Sequence, residues 1–124
     1  MKALLSNYRQ SPRKVRLVTD AIIGKSAQEA LTQLSFMPKR AADPVAKVLA
    51  SAIANAKALG VNPEQMVVKT ATVNAGVTLK RSMPRARGRA FPILKRTSHV
   101  YIELGAAPEK KAKPKSTKAK EAAK

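Results

Sequence analysis

Apolar residues recur at three- and four-residue spacing in three segments of the first half of the chain, which predicts three amphipathic helices. The first helix is expected over about 12–23. Ser11 followed by Pro12 is a typical helix start, and Gly24 is a typical stop. Its apolar stripe consists of Val15, Val18 and Ile22.

Two further helices follow. The second begins at a capping box formed by Ser26 and Glu29 and ends before Pro38. The third has the best-defined apolar stripe, which spans 41–56 and is closed by Gly60. The apolar faces of these helices are of the size that one small core uses, so we expect no homo-oligomer.

β-Branched residues and an alternation of apolar and polar positions predict strands over 66–73 and 97–104. The N-terminal segment 2–8 supplies a third strand, because a two-stranded hairpin alone could not support three helices. The predicted fold class is therefore α+β, with three helices packed on a small antiparallel sheet. In the last strand, Val100, Ile102 and Leu104 share one face, and His99, Tyr101 and Glu103 share the other.

A segment at about 74–98, which we call the arm, has no core-like pattern. Pro84 and Pro92 are equally spaced about Gly88, which is typical of the two legs and tip of a β-hairpin. Each leg of about 12 residues would span roughly 40 Å when extended. The radius of gyration of a domain of about 100 residues is only ~13 Å. The arm is therefore expected to protrude from the body.

The positive charge of the chain and its arm indicates the class of partner that they bind. The 124-residue chain has a formal net charge of +18, and residues 65–102 contain no Asp or Glu. Such a charge favours a polyanionic partner, either nucleic acid or an anionic membrane. The arm is rich in Arg, whose planar fork binds phosphate bidentately, and this favours structured RNA or DNA. The cations of residues 65–102 are Lys69, Lys80, Arg81, Arg85, Arg87, Arg89, Lys95 and Arg96.

The start of the first helix poses an electrostatic conflict. Arg13, Lys14 and Arg16 lie in or next to its first turn, where the helix dipole makes cations unfavourable. An external phosphate would remove the conflict. A solvated basic face is an equally good interpretation of the same three residues.

Catalysis and metal binding have little support. The chain has no cysteine, and His99, its one histidine, is accompanied by neither a carboxylate pair nor a Gly-rich phosphate loop. Residues 1–104 contain only five acids, too few and too scattered for a coordination sphere. We therefore predict a protein that is not an enzyme and that has no cofactor and no metal site.

Localisation signals are equally sparse. No apolar run approaches the roughly 18 residues of a membrane span, and residues 1–10 lack the features of a signal peptide. We expect a soluble protein without a membrane partner, either cytosolic or synthesised in an organelle. Residues 1–104 would form one domain, followed by a basic low-complexity C-terminal tail over 105–124 with seven lysines. This tail either neutralises phosphates or is merely solvated.

Three blocks of sequence carry a resemblance to a known family. They are SPRKVRLVTDAIIGK at 11–25, KVLASAIANA at 47–56, and MPRARGRA with ILKRTSHV within 83–100. Together they resemble the bacterial type of one ribosomal family, the large-subunit ribosomal protein twenty-two. The resemblance covers residues 1–104 in order, and three blocks in register are far more specific than one basic run.

The resemblance implies a structural protein of the large ribosomal subunit, located in the cytoplasm. Its partners would be large-subunit rRNA, neighbouring ribosomal proteins and, at the hairpin tip that lines the exit tunnel, the nascent polypeptide. It implies rRNA binding by Ser11, Arg13, Lys14, Arg16, Lys80, Arg81, Arg85, Arg87, Lys95 and Arg96. It implies a tunnel-lining tip of Met83, Pro84, Arg85, Ala86, Arg87, Gly88, Arg89 and Ala90, with Arg89 facing the lumen.

The chain departs from the family pattern at two places. Asn74 and Ala75 precede Gly76 where many members have acidic residues, so no acidic contact is carried over. Pro44 lies within the third helix of the family and, with Asp43, leaves open a later start for that helix.

The main alternative is an architectural DNA-binding protein that lays a proline-bearing β-arm in the minor groove and bends the duplex. Such proteins usually act as dimers with paired arms, and this chain has no evident dimer seam. A cationic membrane-surface peptide is a weaker alternative, because the arm has no amphipathic helical period.

Overall fold

The computed structural model describes residues 1–106, which form three helices and two antiparallel sheets and confirm the α+β class. The helices and strands, in chain order, are β1 Lys2–Tyr8, α1 Pro12–Ile22, α2 Ala27–Phe36, α3 Ala42–Ala58, β2 Met66–Ala75, β3 Leu79–Pro84, β4 Ala90–Lys95 and β5 Ser98–Ala106. Short 3-10 turns occur at Pro63–Gln65 and Ala86–Gly88. None of the helices within residues 1–106 is long and apolar enough to cross a membrane.

The body is one layer of helices on a three-stranded antiparallel sheet with strand order β1-β5-β2. The N-terminal strand therefore exists as predicted, and β5 lies at the centre. Helix α1 packs on β2, α3 packs on β1 and β5, and α2 packs on α3. Each fully buried Leu or Ile contributes about 1.5–3 kcal/mol to folding. The largest of these core side chains are Ile22, Leu34, Leu49, Ile102 and Leu104.

The helix boundaries follow the local signals with one clarification. The capping box of α2 is present, with Ser26 Oγ accepting from the backbone N–H of Glu29 at 3.3 Å. Helix α3 begins at Ala42 and runs through Pro44. The first N–H groups of any helix have no intrahelical partner, so a proline in the first turn removes no helical hydrogen bond. Pro44 therefore does not delay the start of α3.

In the structure the arm is the separate two-stranded sheet formed by β3 and β4. It is shorter than the predicted range of about 74–98, because residues 74, 75 and 98 belong to the body sheet. It joins the body through two short segments, residues 76–78 and 96–97, which we call the neck. The last pair of the body sheet is Ala75 with Ser98, and the first pair of the arm is Leu79 with Lys95. Three residues thus lie opposite two, as in a β-bulge, which bends and twists a β-ribbon.

The turn of the arm lies within the predicted tip, Met83 to Ala90, but its centre is one residue away from the midpoint of the two prolines. The pairing of Pro84 with Ala90 and of Ser82 with Pro92 centres the hairpin on Arg87, although the prolines are symmetric about Gly88. The reason is the turn, in which Arg87 (φ 59°) and Gly88 (φ 69°) are both left-handed. Turn geometry, and not proline spacing, determines the register of a hairpin.

The predicted C-terminal tail lies mostly outside the described residues. Gly105 and Ala106 belong to β5, which therefore runs two residues beyond the predicted end at Leu104. The rest of the tail, 107–124, is not described by the structure.

Candidate nucleic-acid interface

The start of α1 and the base of the arm enclose two adjoining depressions of about 570 and 320 Å³, which share Ser11 and Arg96. We call them together the basic groove. The larger is lined by Arg9, Gln10, Ser11, Lys14, Arg40, Leu94, Lys95 and Arg96, and the smaller by Ser11, Pro12, Arg13, Arg16, Ala75 and Arg96. Seven of these lining residues are Lys or Arg, and none is acidic. The groove is therefore suited to a polyanion.

The fold brings together six of the ten residues predicted to bind rRNA. The other four, Lys80, Arg81, Arg85 and Arg87, lie further along the arm or at its tip. Ser11 and Lys95 are 84 positions apart in the sequence. They line the same depression because β5 returns the chain from the arm to pair with β1. The six that line the basic groove are Ser11, Arg13, Lys14, Arg16, Lys95 and Arg96.

Two groove residues, Arg9 and Arg40, were missed by the sequence analysis. Arg9 follows β1 and Arg40 precedes α3, and neither belongs to a motif. The hydroxyl of Tyr8, next to Arg9, lies 3.4 Å from the backbone carbonyl oxygen of Arg40, close to the limit for a hydrogen bond. Only the pairing of distant segments in the fold reveals these two cations.

The first turn of α1 contains no acidic residue. Ser11 occupies the N-cap position with extended backbone angles, but its side chain makes no capping hydrogen bond, contrary to the expectation from sequence. Ser11 instead lines both depressions of the basic groove. Pro12 has no N–H, and the N–H groups of Lys14 and Val15 donate to the Ser11 carbonyl oxygen, which leaves the N–H of Arg13 in the first turn. The positive end of the helix dipole and the nearby cations favour an anion such as phosphate.

Arg16 has an additional contact inside the protein. Its Nε and Nη2 atoms both donate to the backbone carbonyl oxygen of Val73, at 3.2 and 3.0 Å. Val73 lies near the end of β2, in the body sheet and ahead of the neck. Arg16 therefore joins α1 to the end of β2, and its remaining N–H groups are left for a ligand.

The arm has cations on both faces. Because cross-strand partners lie on the same face, Arg81 and Lys95 share one face, and Lys80 lies on the other. Near the tip, the Arg85 guanidinium lies over the ring of Phe91, with 5.6 Å to the ring centroid. All residues of 80–92 are exposed. A polyanion that neutralised the arm would therefore have to surround it.

The single histidine has a structural environment. His99 Nδ1 accepts a hydrogen bond from the backbone N–H of Asn7 at 3.1 Å.

On the same sheet face, desolvation and then the Glu103 carboxylate raise the pKa of Tyr101 above its ordinary value. Within the described part of the chain, no three His, Cys, Asp or Glu side chains are grouped so that they could hold a metal ion.

Comparison with known proteins agrees with this geometry. The family described as Ribosomal protein L22p/L17e matches residues 3–105. The chain is 53% identical over 102 residues to the large ribosomal subunit protein uL22 of Herpetosiphon aurantiacus, covering 82% of this chain and 90% of that protein. It is 50% identical over 103 residues to the protein of the same name from Wolinella succinogenes, covering 83% and 92%. The resemblance drawn from three sequence blocks is thus confirmed, and the chain belongs to the ribosomal protein L22p/L17e family.

Proposed function

We propose that this chain is a structural constituent of the large ribosomal subunit in the bacterial cytoplasm, where it binds large-subunit rRNA and contacts neighbouring ribosomal proteins. The observation that carries the proposal is a groove lined by seven cations at the foot of a cationic arm. The matching family consists of ribosomal proteins, which are not enzymes, and it gives no support to the architectural DNA-binding alternative.

Residues 1–104, with the arm at about 74–98, would act as one rRNA-binding domain. In the basic groove, Ser11, Arg13, Lys14, Arg16, Lys95 and Arg96 would bind phosphates, together with Arg9 and Arg40. Along the arm, Lys80, Arg81, Arg85 and Arg87 would do the same. The arrangement of cations on both faces of the arm supports this assignment. RNA that encloses the arm would recognise its shape in addition to neutralising its charge.

Competitive assembly tests the rRNA-binding surface. Wild-type and variant proteins would be mixed with large-subunit rRNA and the other subunit proteins, and the variant fraction in purified particles measured by mass spectrometry. We expect Lys95→Gln/Arg96→Gln to compete about tenfold less well, since a loss of only ~0.7 kcal/mol per contact gives that factor. The control, Lys47→Gln/Lys57→Gln, removes two exposed charges from α3. Equal incorporation of the two double variants would refute the proposed surface.

The tip, Met83 to Ala90, would line the exit tunnel and approach the nascent polypeptide, with Arg89 facing the lumen. The resemblance to the family and the exposure of all these residues in the free protein support this part of the proposal. The absence of native cysteine permits a clean test with a thiol-directed crosslinker at Ala86→Cys in the particle. We expect adducts with a stalled nascent chain from Ala86→Cys but not from Ala54→Cys on α3. Adducts from neither site would overturn the assignment of the tip.

We also propose that one copy acts alone and does not form a homo-oligomer. The apolar faces of all three helices contribute to a single core, which supports this view. Sedimentation equilibrium of the free protein should give the mass of one chain, 13.3 kDa, across a tenfold range of concentration. A mass that rises toward twice this value would contradict the proposal.

A further inference from the structure

The neck is held by hydrogen bonds between its own two segments. The backbone N–H of Gly76 donates to the carbonyl oxygen of Thr97 at 2.9 Å. The Thr97 hydroxyl donates to the carbonyl oxygen of Val77 at 2.6 Å. Thr97 is only 8% exposed, so its side chain is confined. These bonds join the two segments to each other but do not join them to the helices.

Arg16 links α1 to the end of β2, the strand that leads into the neck. Its two hydrogen bonds converge on one oxygen, that of Val73, whose side chain is buried in the core. A planar guanidinium that donates twice to one acceptor restricts the orientation of both groups more than a single bond would. The end of β2 is therefore fixed relative to α1 at the place where the arm leaves the body.

We propose that Arg16 is a positioning residue that sets the direction of the arm relative to the body. The bulge-like neck bends and twists the ribbon. The direction of the arm therefore depends on the orientation in which the end of β2 enters the neck. Arg16 also lines the basic groove with Arg13 and Arg96. A phosphate bound there would contact the residue that orients the arm. The need for a defined direction rests on the proposed rRNA-binding function, whereas the contact itself does not.

Distance measurement by double electron–electron resonance on the free 124-residue chain tests this proposal. The cysteine-free chain allows spin labels at Ser51→Cys on α3 and Ala86→Cys at the tip, both exposed positions. A second pair, Gln28→Cys with Ser51→Cys, reports on the body alone. We expect one narrow body-to-tip distance peak in the parent protein and loss of that peak in Arg16→Ala, with the body distance unchanged.

Two variants sharpen the test. Arg13→Ala removes the same charge from an exposed side chain in the same helix and should keep the narrow peak. Arg16→Lys retains a donor and should restore the peak in part. Equal body-to-tip distributions for Arg16→Ala and Arg13→Ala would overturn the proposal. So would a change in the body distance, which would reduce Arg16 to a general stabiliser. Neither result depends on rRNA, so the proposed function would be tested separately by competitive assembly.

Discussion

Gly76 is the position where a single added methyl group should do the most damage to the neck. An ideal Cβ at Gly76 would lie 2.5 Å from Thr97 Oγ1 and 3.0 Å from His99 Nε2, whereas ordinary contact begins at 3.4 Å. The hydroxyl cannot simply move away, because it is buried and hydrogen-bonded to Val77. Gly76→Ala must therefore displace Thr97 and break that hydrogen bond.

The cost has two parts. Overpacking by a methyl group in a confined site costs about 1–3 kcal/mol. Loss of the Thr97 to Val77 hydrogen bond adds about 0.5–1.5 kcal/mol. The expected decrease in the free energy of unfolding for Gly76→Ala is therefore about 1.5–4.5 kcal/mol. For a domain of this size it corresponds to a decrease in Tm of roughly 6–36 °C.

Thermal and urea unfolding followed by circular dichroism would measure this effect. Gly105→Ala is the matched control, because the nearest atoms to its added Cβ are Lys69 side-chain carbons at 3.4 Å or more. It should change stability by less than about 0.5 kcal/mol. The double variant Gly76→Ala/Thr97→Ala should lose less stability than the sum of the two single variants, since the clashing hydroxyl is gone. Equal stability of Gly76→Ala and Gly105→Ala would refute the reasoning.

Three other predictions concern the helices and the tip. Ser26→Ala, which removes the N-cap of α2, should lower the free energy of unfolding by about 1 kcal/mol in urea titrations; an unchanged midpoint would contradict the role of the capping box. Leu49→Ala, at a fully buried position, should lower the free energy of unfolding by about 2–5 kcal/mol in the same assay. A decrease smaller than that of Ser26→Ala would contradict the assignment of Leu49 to the core. Replacing Arg85, Arg87 and Arg89 together by Gln should impair particle assembly or tunnel properties and leave the Tm of the free body unchanged. An unfolded body in this triple variant would contradict the division of the chain into body and arm.

Local signals predicted most of the body because each element has its own pattern. The spacing of Val15, Val18 and Ile22 on α1 and the alternation of Val100 to Leu104 on β5 reflect burial on one face, which the structure confirms. The N-terminal strand has a weaker pattern. It was predicted because a two-stranded hairpin could not support three helices, so the sheet needed a third strand. Its pairing with β5 shows that such arguments from packing can succeed.

The candidate site was only partly predictable because it depends on contacts between distant segments. Arg9 and Arg40 belong to no motif and join the basic groove through the fold alone. The contact of Arg16 with the Val73 carbonyl is also invisible in the sequence, which marked Arg16 only as a cation in an unfavourable place. The proline spacing suggested Gly88 as the centre of the hairpin, whereas the structure centres it on Arg87, because the left-handed conformation of Arg87 has no clear sequence signal.

Sedimentation of a cell lysate through a sucrose gradient in roughly 0.5 M monovalent salt, which screens exposed charges beyond several Å, tests the central claim most directly. Each fraction would be probed for this chain and compared with the rRNA absorbance. The proposed function predicts stoichiometric retention in the large-subunit peak, because folded RNA would enclose the arm. Release of the chain to the top of the gradient, or migration with DNA, would contradict it.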